Sequence, residues 1–301
     1  MGKAASFARA FRVTDGRKFR LGDVDPRDTA GLKSKQHALQ WLEKGSALLA
    51  ELQEKLYADN RWSVLVVLQA MDAAGKDGTI KHVMSGVNPQ GVQVVSFKAP
   101  SAEELDHDFM WRSLRALPER GRIGIFNRSY YEEVLVVRVH EELLAAQRIP
   151  APLVTKRLWR ERFASINAVE RHLVRNGTVV LKFFLHVSKA EQRRRLLSRL
   201  EERDKHWKFS PTDLAERARW GRYMAAYEEM IRSTATTRAP WHVIPADNKW
   251  FAHLAVAAAI VEALQRLDLA FPEPGPEMRK RIAAARAALS PGRRRAQPGR
   301  R

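Results

Sequence analysis

The chain predicts an α/β domain built on a parallel five-stranded sheet, and three observations predict it. Five short segments have the composition of strands: SVLVVLQ (63–69), VQVVSF (92–97), RIGIF (122–126), TVVLKFFLHV (178–187) and WHVIP (241–245). Four of them are nearly continuous apolar runs, as strands buried on both faces of a parallel sheet require. Between them lie segments of helical period, and alternation of strands with helices gives right-handed crossover units.

Taken in order, residues 1–34 carry Gly, Asp and Pro at turn-like intervals (TDGRK, LGDVDPRDTAG), which predicts an irregular N-terminal arm. From Lys35 to Ala58 apolar residues recur at helical spacing (Leu39, Leu42, Leu48, Leu49, Leu52, Leu56), the pattern of an amphipathic helix. Further helices are expected over 77–86, 101–117 and 152–175, within 188–236, and over 249–267, the last packing on the sheet. Arg175-Asn176-Gly177 closes one of them with residues that tolerate left-handed backbone. Ser210-Pro211-Thr212-Asp213 places a capping serine before a proline at the first helical position, with a carboxylate at the third. No repeat or linker interrupts 35–270, so one domain is expected there. From Phe271 onward Pro, Gly and Arg accumulate, and 271–301 reads as a basic, largely disordered tail, above all after Ser290.

A chain of 301 residues with 45% apolar content can bury a substantial core. The absence of cysteine excludes disulfides and thiolate metal sites and fits a reducing, cytoplasmic location. No apolar run is long enough to span a bilayer, and the first residues lack the apolar core of a secretory signal. Gly2…Ser6 fits a myristoylation pattern too short to carry weight, so no membrane partner is expected. Net charge of +19 attracts polyanions: nucleic acid, anionic membrane or a phosphorylated substrate. Charge alone does not choose among them.

Three constellations carry chemistry. The first is QAMDAAGKDGT at 69–79, after the apolar strand and before a helical pattern. A strand that turns tightly into a helix N-terminus points free N–H groups at phosphates, and a lysine adds a point charge. Gly75, Lys76, Gly78 and Thr79 fit that pattern, with Ala70 in place of the first glycine. Asp72 offers an oxygen to Mg²⁺, a hard cation. The second is FNRSYYEEVLVVRVH at 126–140. Asn127 closes its strand where nucleotide kinases usually carry an acid. Arg128 supplies a planar fork for phosphates, and Glu132 and Glu133 follow. An ordinary polar helix start explains RSYYEE equally well. The third is AEQRRRLLSRLEERDKHWKFS at 190–210, where Arg195, Arg199 and Arg203 form one helical stripe and Lys205 and Lys208 bracket His206-Trp207. A solvated helix face is the plainer reading. Its place between the fourth and fifth strands matches the mobile lid of nucleotide kinases.

Together MDAAGKDGTIKHV, EELDHDFMWR (103–112), FNRSYYEEVLVVRVH and DKHWKFSPTDL (204–214) resemble the polyphosphate kinase 2 family, from about Phe11 to Leu267. The resemblance implies a P-loop kinase-like three-layer α/β/α sandwich with a helical lid near 190–215. It implies reversible, Mg²⁺-dependent phosphoryl transfer between inorganic polyphosphate and nucleotides, ADP to ATP and AMP to ADP, with Mn²⁺ as a substitute metal. Carried over by position, Asp72, Lys76 and Arg128 are the catalytic residues. Ala73, Ala74, Gly75, Gly78, Thr79, Lys81 and the lid cations Arg195, Arg199, Arg203, Lys205 and Lys208 hold phosphates. Asp72, Glu132 and Glu133 are the metal candidates. Asn127, Tyr131, Asp247 and Asn248 are the nucleotide candidates, for adenine and secondarily guanine nucleotides. Some family members carry aspartate where Asn127 stands, and the FNRSYYEEV form is closer to the subgroup accepting AMP as well as ADP. A homodimer or homotetramer is implied, and no specific nucleic acid. Two readings compete: an ATP-dependent kinase of another small phosphorylated acceptor, and a nucleic-acid-binding protein with a vestigial loop.

Overall fold

The computed structural model describes residues 2–290, with side chains from Ser6 onward. Six strands form one mixed sheet in the order β1-β6-β5-β2-β4-β3. They are β1 (Arg12–Val13), β2 (Ser63–Gln69), β3 (Val92–Ser96), β4 (Ile123–Asn127), β5 (Thr178–His186) and β6 (Trp241–Pro245). Strands β2 to β6 run parallel, and β2 is buried along its whole length, as its unbroken apolar run requires. The chain leaves β2 to build β3 and β4 on one side, then crosses to build β5 and β6 on the other. That reversal opens a crevice beyond the carboxyl ends of the strands flanking β2, where Leu68 pairs with Asn127 and Gln69 with Phe184.

The five-strand expectation is corrected to six by β1, which pairs antiparallel with β6. Two residues carry no readable alternation, so β1 is invisible in the sequence. It is held instead by its neighbours: the Val243 amide donates to the Phe11 carbonyl at 2.9 Å, and Phe11 meets Phe251 edge-on at 5.7 Å. The arm expected to be irregular also opens with a helix, Gly2–Ala10, whose Phe7 stacks on Trp41 at 5.4 Å.

Lys35–Asp59 forms the expected amphipathic helix, capped by Ser34 and ended at Asn60 with φ 51°. Its buried Leu42, Leu49, Leu52 and Leu56 pack against Lys249–Gln265, which is apolar all round and almost wholly buried. On the other face of the sheet lie Leu158–Arg175 and Trp220–Thr234. There β5 presents Lys182, bonded to Glu170 at 2.6 Å and to the Thr234 carbonyl at 2.8 Å. Two residues on, Phe184 packs against Tyr227 at 4.4 Å. Gly177, at φ 84°, closes Leu158–Arg175 as its sequence predicts.

The region 188–236 divides into Lys189–Glu201, a 3₁₀ segment at Arg203–Lys208, Thr212–Ala218 and Trp220–Thr234. The predicted cap falls one residue early: Pro211 is the capping residue, and the Ser210 hydroxyl accepts from the Thr212 amide at 3.4 Å. The expected 101–117 helix is two short ones, Ala102–Leu105 and Trp111–Arg115. Within the tail, Pro276–Leu289 is helical and exposed along its length, a correction to the disorder expected from Phe271. The disorder expected after Ser290 falls outside the described residues. No described helix is long and apolar enough to cross a membrane.

Candidate active site

The loop after β2 runs through Ala70 to Gly75 and enters the helix Lys76–Val83. Ala70 needs no left-handed backbone, so its Cβ is tolerated where a glycine was anticipated. Ala73 (φ 60°) and Gly75 (φ 110°) carry the turn instead. At φ 110° only glycine is free of strain. The Thr79 amide closes the first helical turn on the Gly75 carbonyl at 2.9 Å, and the Thr79 hydroxyl donates to the same oxygen.

Lys76 is buried, and its Nζ donates to the Ala70 carbonyl at 2.9 Å and the Met71 carbonyl at 3.4 Å. Burial foremost, then the nearby Arg128 guanidinium, pushes its pKa down to about 8. Arg128 follows β4 directly and sits at φ 65°, a left-handed conformation that costs a side-chain-bearing residue about 1–2 kcal/mol. The turn aims its fork between two carboxylates: Nη2 donates to Asp72 at 2.7 Å and Nη1 to Glu132 at 3.2 Å. Glu132 foremost holds the guanidinium charged against the cost of burial, with help from Asp72. Asn127 donates to Asp77 at 2.8 Å, so the residue that closes β4 and the residue after Lys76 satisfy each other.

Asp72, Lys76, Asp77, Asn127 and Arg128 line a cleft of about 600 Å³ at the carboxyl end of the sheet, while Glu132 and Thr79 are not part of its lining. Nine Lys and Arg side chains face it against two carboxylates, Asp72 and Asp77, which gives it a positive potential. Arg199, Lys205 and Lys208 line it from the 189–208 segment. Arg199 is steadied by Asp213 at 3.2 Å.

Arg195 lines the cleft but is committed elsewhere. Its Nε donates to Glu191 at 2.7 Å. Nη1 donates to the carbonyls of Ala73 (3.2 Å) and Ala74 (2.5 Å), and Nη2 to those of Ala246 (2.5 Å) and Asp247 (3.1 Å). A guanidinium has five N–H donors, and here all five are spent. Arg195 therefore clamps the loop to the turn after β6 and has no donor left for a phosphate.

Other predicted site residues lie apart from the cleft. Lys81 and Arg203 are exposed and outside it. Ala74 is buried beneath the loop, contributing its carbonyl to Arg195. Tyr131 is fully buried, its hydroxyl donating to Glu170 at 2.7 Å and accepting from Lys182 at 3.0 Å, so it belongs to the core. The Asp247 carboxylate accepts from the Ser188 amide at 2.7 Å, and Asn248 donates to the Arg27 carbonyl at 3.2 Å; both tie elements together. Glu133 faces a separate cavity of about 270 Å³ with Arg112 and Arg162, and burial raises its pKa. Glu132 and Glu133 share one 3₁₀ turn, Tyr130–Val134, where adjacent side chains point about 120° apart.

The sequence reading missed Lys98, Lys249, His82 and His253, all of which line the cleft. A signal existed for Lys98, which follows β3 at the carboxyl edge of the sheet, and for Lys249 and His253, one turn apart on the helix after β6.

Residues 32–272 match the family model described as Polyphosphate kinase 2. The chain is 50% identical over 282 residues to an ADP-polyphosphate phosphotransferase of Rhodopseudomonas palustris, covering 93% of this chain and 98% of that one. It is 46% identical to an AMP/ADP-polyphosphate phosphotransferase of Meiothermus ruber, covering 88% and 96%. The crystal structure of Polyphosphate Kinase 2 from Arthrobacter aurescens superposes with a TM-score of 0.84 at 42% identity, covering 93% and 96%.

Proposed function

The chain belongs to the polyphosphate kinase 2 family, and from that membership and the site geometry we propose that it transfers phosphoryl groups, reversibly, between inorganic polyphosphate and adenine nucleotides. One observation carries the reading: nine cationic side chains, Lys76 and Arg128 among them, line one cleft against two carboxylates. Phosphoryl transfer through a loose transition state needs positioning and positive charge more than covalent chemistry. Lys76 and the loop amides hold the phosphates at the point of transfer. Arg128, held by Asp72 and Glu132, turns its fork to the same point. The 190–215 segment acts as a lid that brings Arg199, Lys205 and Lys208 over a chain of phosphates. That chain carries no sequence to read, so a flexible basic lining suffices.

Asp72 and Glu132 suit Mg²⁺ on donor chemistry, being carboxylates that converge on one guanidinium. Mg²⁺ takes only one or two protein carboxylates when phosphates and water complete its shell. Bound there it supplies further neutralisation of the transferring group, and Mn²⁺ accepts the same donors. The 270 Å³ cavity beside Glu133, lined by Leu105, Phe109 and Leu158 with Arg112 and Arg162, suits a nucleoside.

The test is product analysis by chromatography after incubating the purified protein with Mg²⁺, polyphosphate and either AMP or ADP. ATP from ADP supports the transferase reading, and ADP from AMP extends it to the monophosphate. No product from either, with the fold intact, overturns it.

A further inference from the structure

The cleft holds two histidines that the proposed transfer does not use. His82 lies on Lys76–Val83 and His253 on Lys249–Gln265, and their rings stack with centroids 4.4 Å apart and planes 21° apart. Both line the cleft beside Gly78 and Lys249. His82 Nδ1 lies 2.8 Å from the Gly78 carbonyl. A carbonyl only accepts, so Nδ1 carries the hydrogen and Nε2 is left as an acceptor. His253 has no protein hydrogen bond among the described residues, and its Nε2 packs against Gly78.

The charges around the pair are mostly positive. Lys249 faces it from its own helix and Arg195 from Lys189–Glu201, and Arg194 stands near Lys249. The carboxylates within reach are spoken for: Glu191 is bonded to both arginines, and Asp77 to Asn127. Burial foremost, then His82, Lys249 and Arg195, pushes His253 down to about 4, so its ring is neutral at pH 7 in the free protein. A polyanion in the cleft reverses that balance by supplying the missing counter-charge.

We propose that the His82–His253 stack is a proton-gated anion subsite, which receives an internal phosphate of a bound polyphosphate chain and takes up a proton as it does so. The proposal rests on the reading that polyphosphate occupies this cleft. Two rings at stacking distance share one positive charge but resist a second. One proton per bound chain is therefore the stoichiometry. By linkage, affinity then strengthens by about tenfold per pH unit as pH falls through the range of uptake.

Isothermal titration of the full chain with long-chain polyphosphate, in buffers of different ionisation heat between pH 7.5 and 5.5, tests this. Long chains make the titrating end groups a negligible fraction, and Lys76, partly neutral at the top of this range, is present in wild type and variants alike, so its own uptake cancels in the comparison. The wild type is expected to take up close to one proton and to tighten as pH falls. His82→Gln, at an exposed position, and His82→Gln/His253→Asn, its fold checked by circular dichroism, should lose most of the uptake and the slope. Binding and turnover without proton uptake, or an equal slope in the variants, overturns the subsite alone. Absence of polyphosphate binding at every pH overturns both it and the transferase reading.

Discussion

Lys76 and Arg195 both look like phosphate ligands on charge alone, and their donors separate them. Lys76 spends its ammonium on two loop carbonyls that a phosphate can replace, whereas Arg195 spends every donor on the scaffold. Lys76→Met should therefore lower turnover by about 10²-fold or more while leaving the thermal midpoint unchanged or raised, since it removes a desolvated charge. Arg195→Lys should do the reverse in emphasis. A lysine cannot meet carbonyls on two separate elements, so a loss of about 1.5–3 kcal/mol is expected in denaturant unfolding, with turnover falling because the loop shifts. The depressed pKa of Lys76 also has a sign. In the unfolded chain it keeps its proton to about 10.5 and in the folded chain only to about 8. Between those values the unfolded state binds more protons, so this group makes stability rise with pH there. In the same window the free site loses its charge. Polyphosphate affinity, measured by titration, should weaken above pH 8 in the wild type, and Lys76→Arg, which does not titrate, should lack that change.

At the scale of elements, strain and burial hold the site open. Ala73 is left-handed without being glycine, so Ala73→Gly should stabilise by about 0.5–1 kcal/mol after its own entropy cost, read from the unfolding midpoint. Behind Arg128, the Lys182–Glu170 pair is fully buried at 2.6 Å and braces Tyr130 and Tyr131. Glu170→Gln should cost about 3–5 kcal/mol, and Lys182→Met with Glu170→Leu much less, because only the single change strands a buried charge. The strands that frame the site were legible because two-sided burial leaves apolar runs. β1 was not, since two residues hold no period and the partner strand supplies the reason for their pairing. The loop and Arg128 were legible from their place at strand ends. Tyr131, Glu133 and Asp247 lie away from the cleft because neighbours in sequence diverge at a turn, and only the fold decides which of them faces it.

For the whole molecule, net charge of +19 is the largest single fact, and the cleft concentrates it where β2 meets its two flanking strands. Binding of a polyanion there should be screened by salt. Raising monovalent salt from about 50 to 200 mM should increase KM for polyphosphate by about tenfold or more, with a far smaller change for the nucleotide. The measurement that tests the central claim most directly is ATP formation from ADP and long-chain polyphosphate with Mg²⁺, run side by side for wild type and Lys76→Met, with circular dichroism on both. Wild type should yield ATP and the variant at most about one-hundredth of that rate, both proteins being folded. Equal rates in the two, or no ATP from a folded wild type, would contradict it.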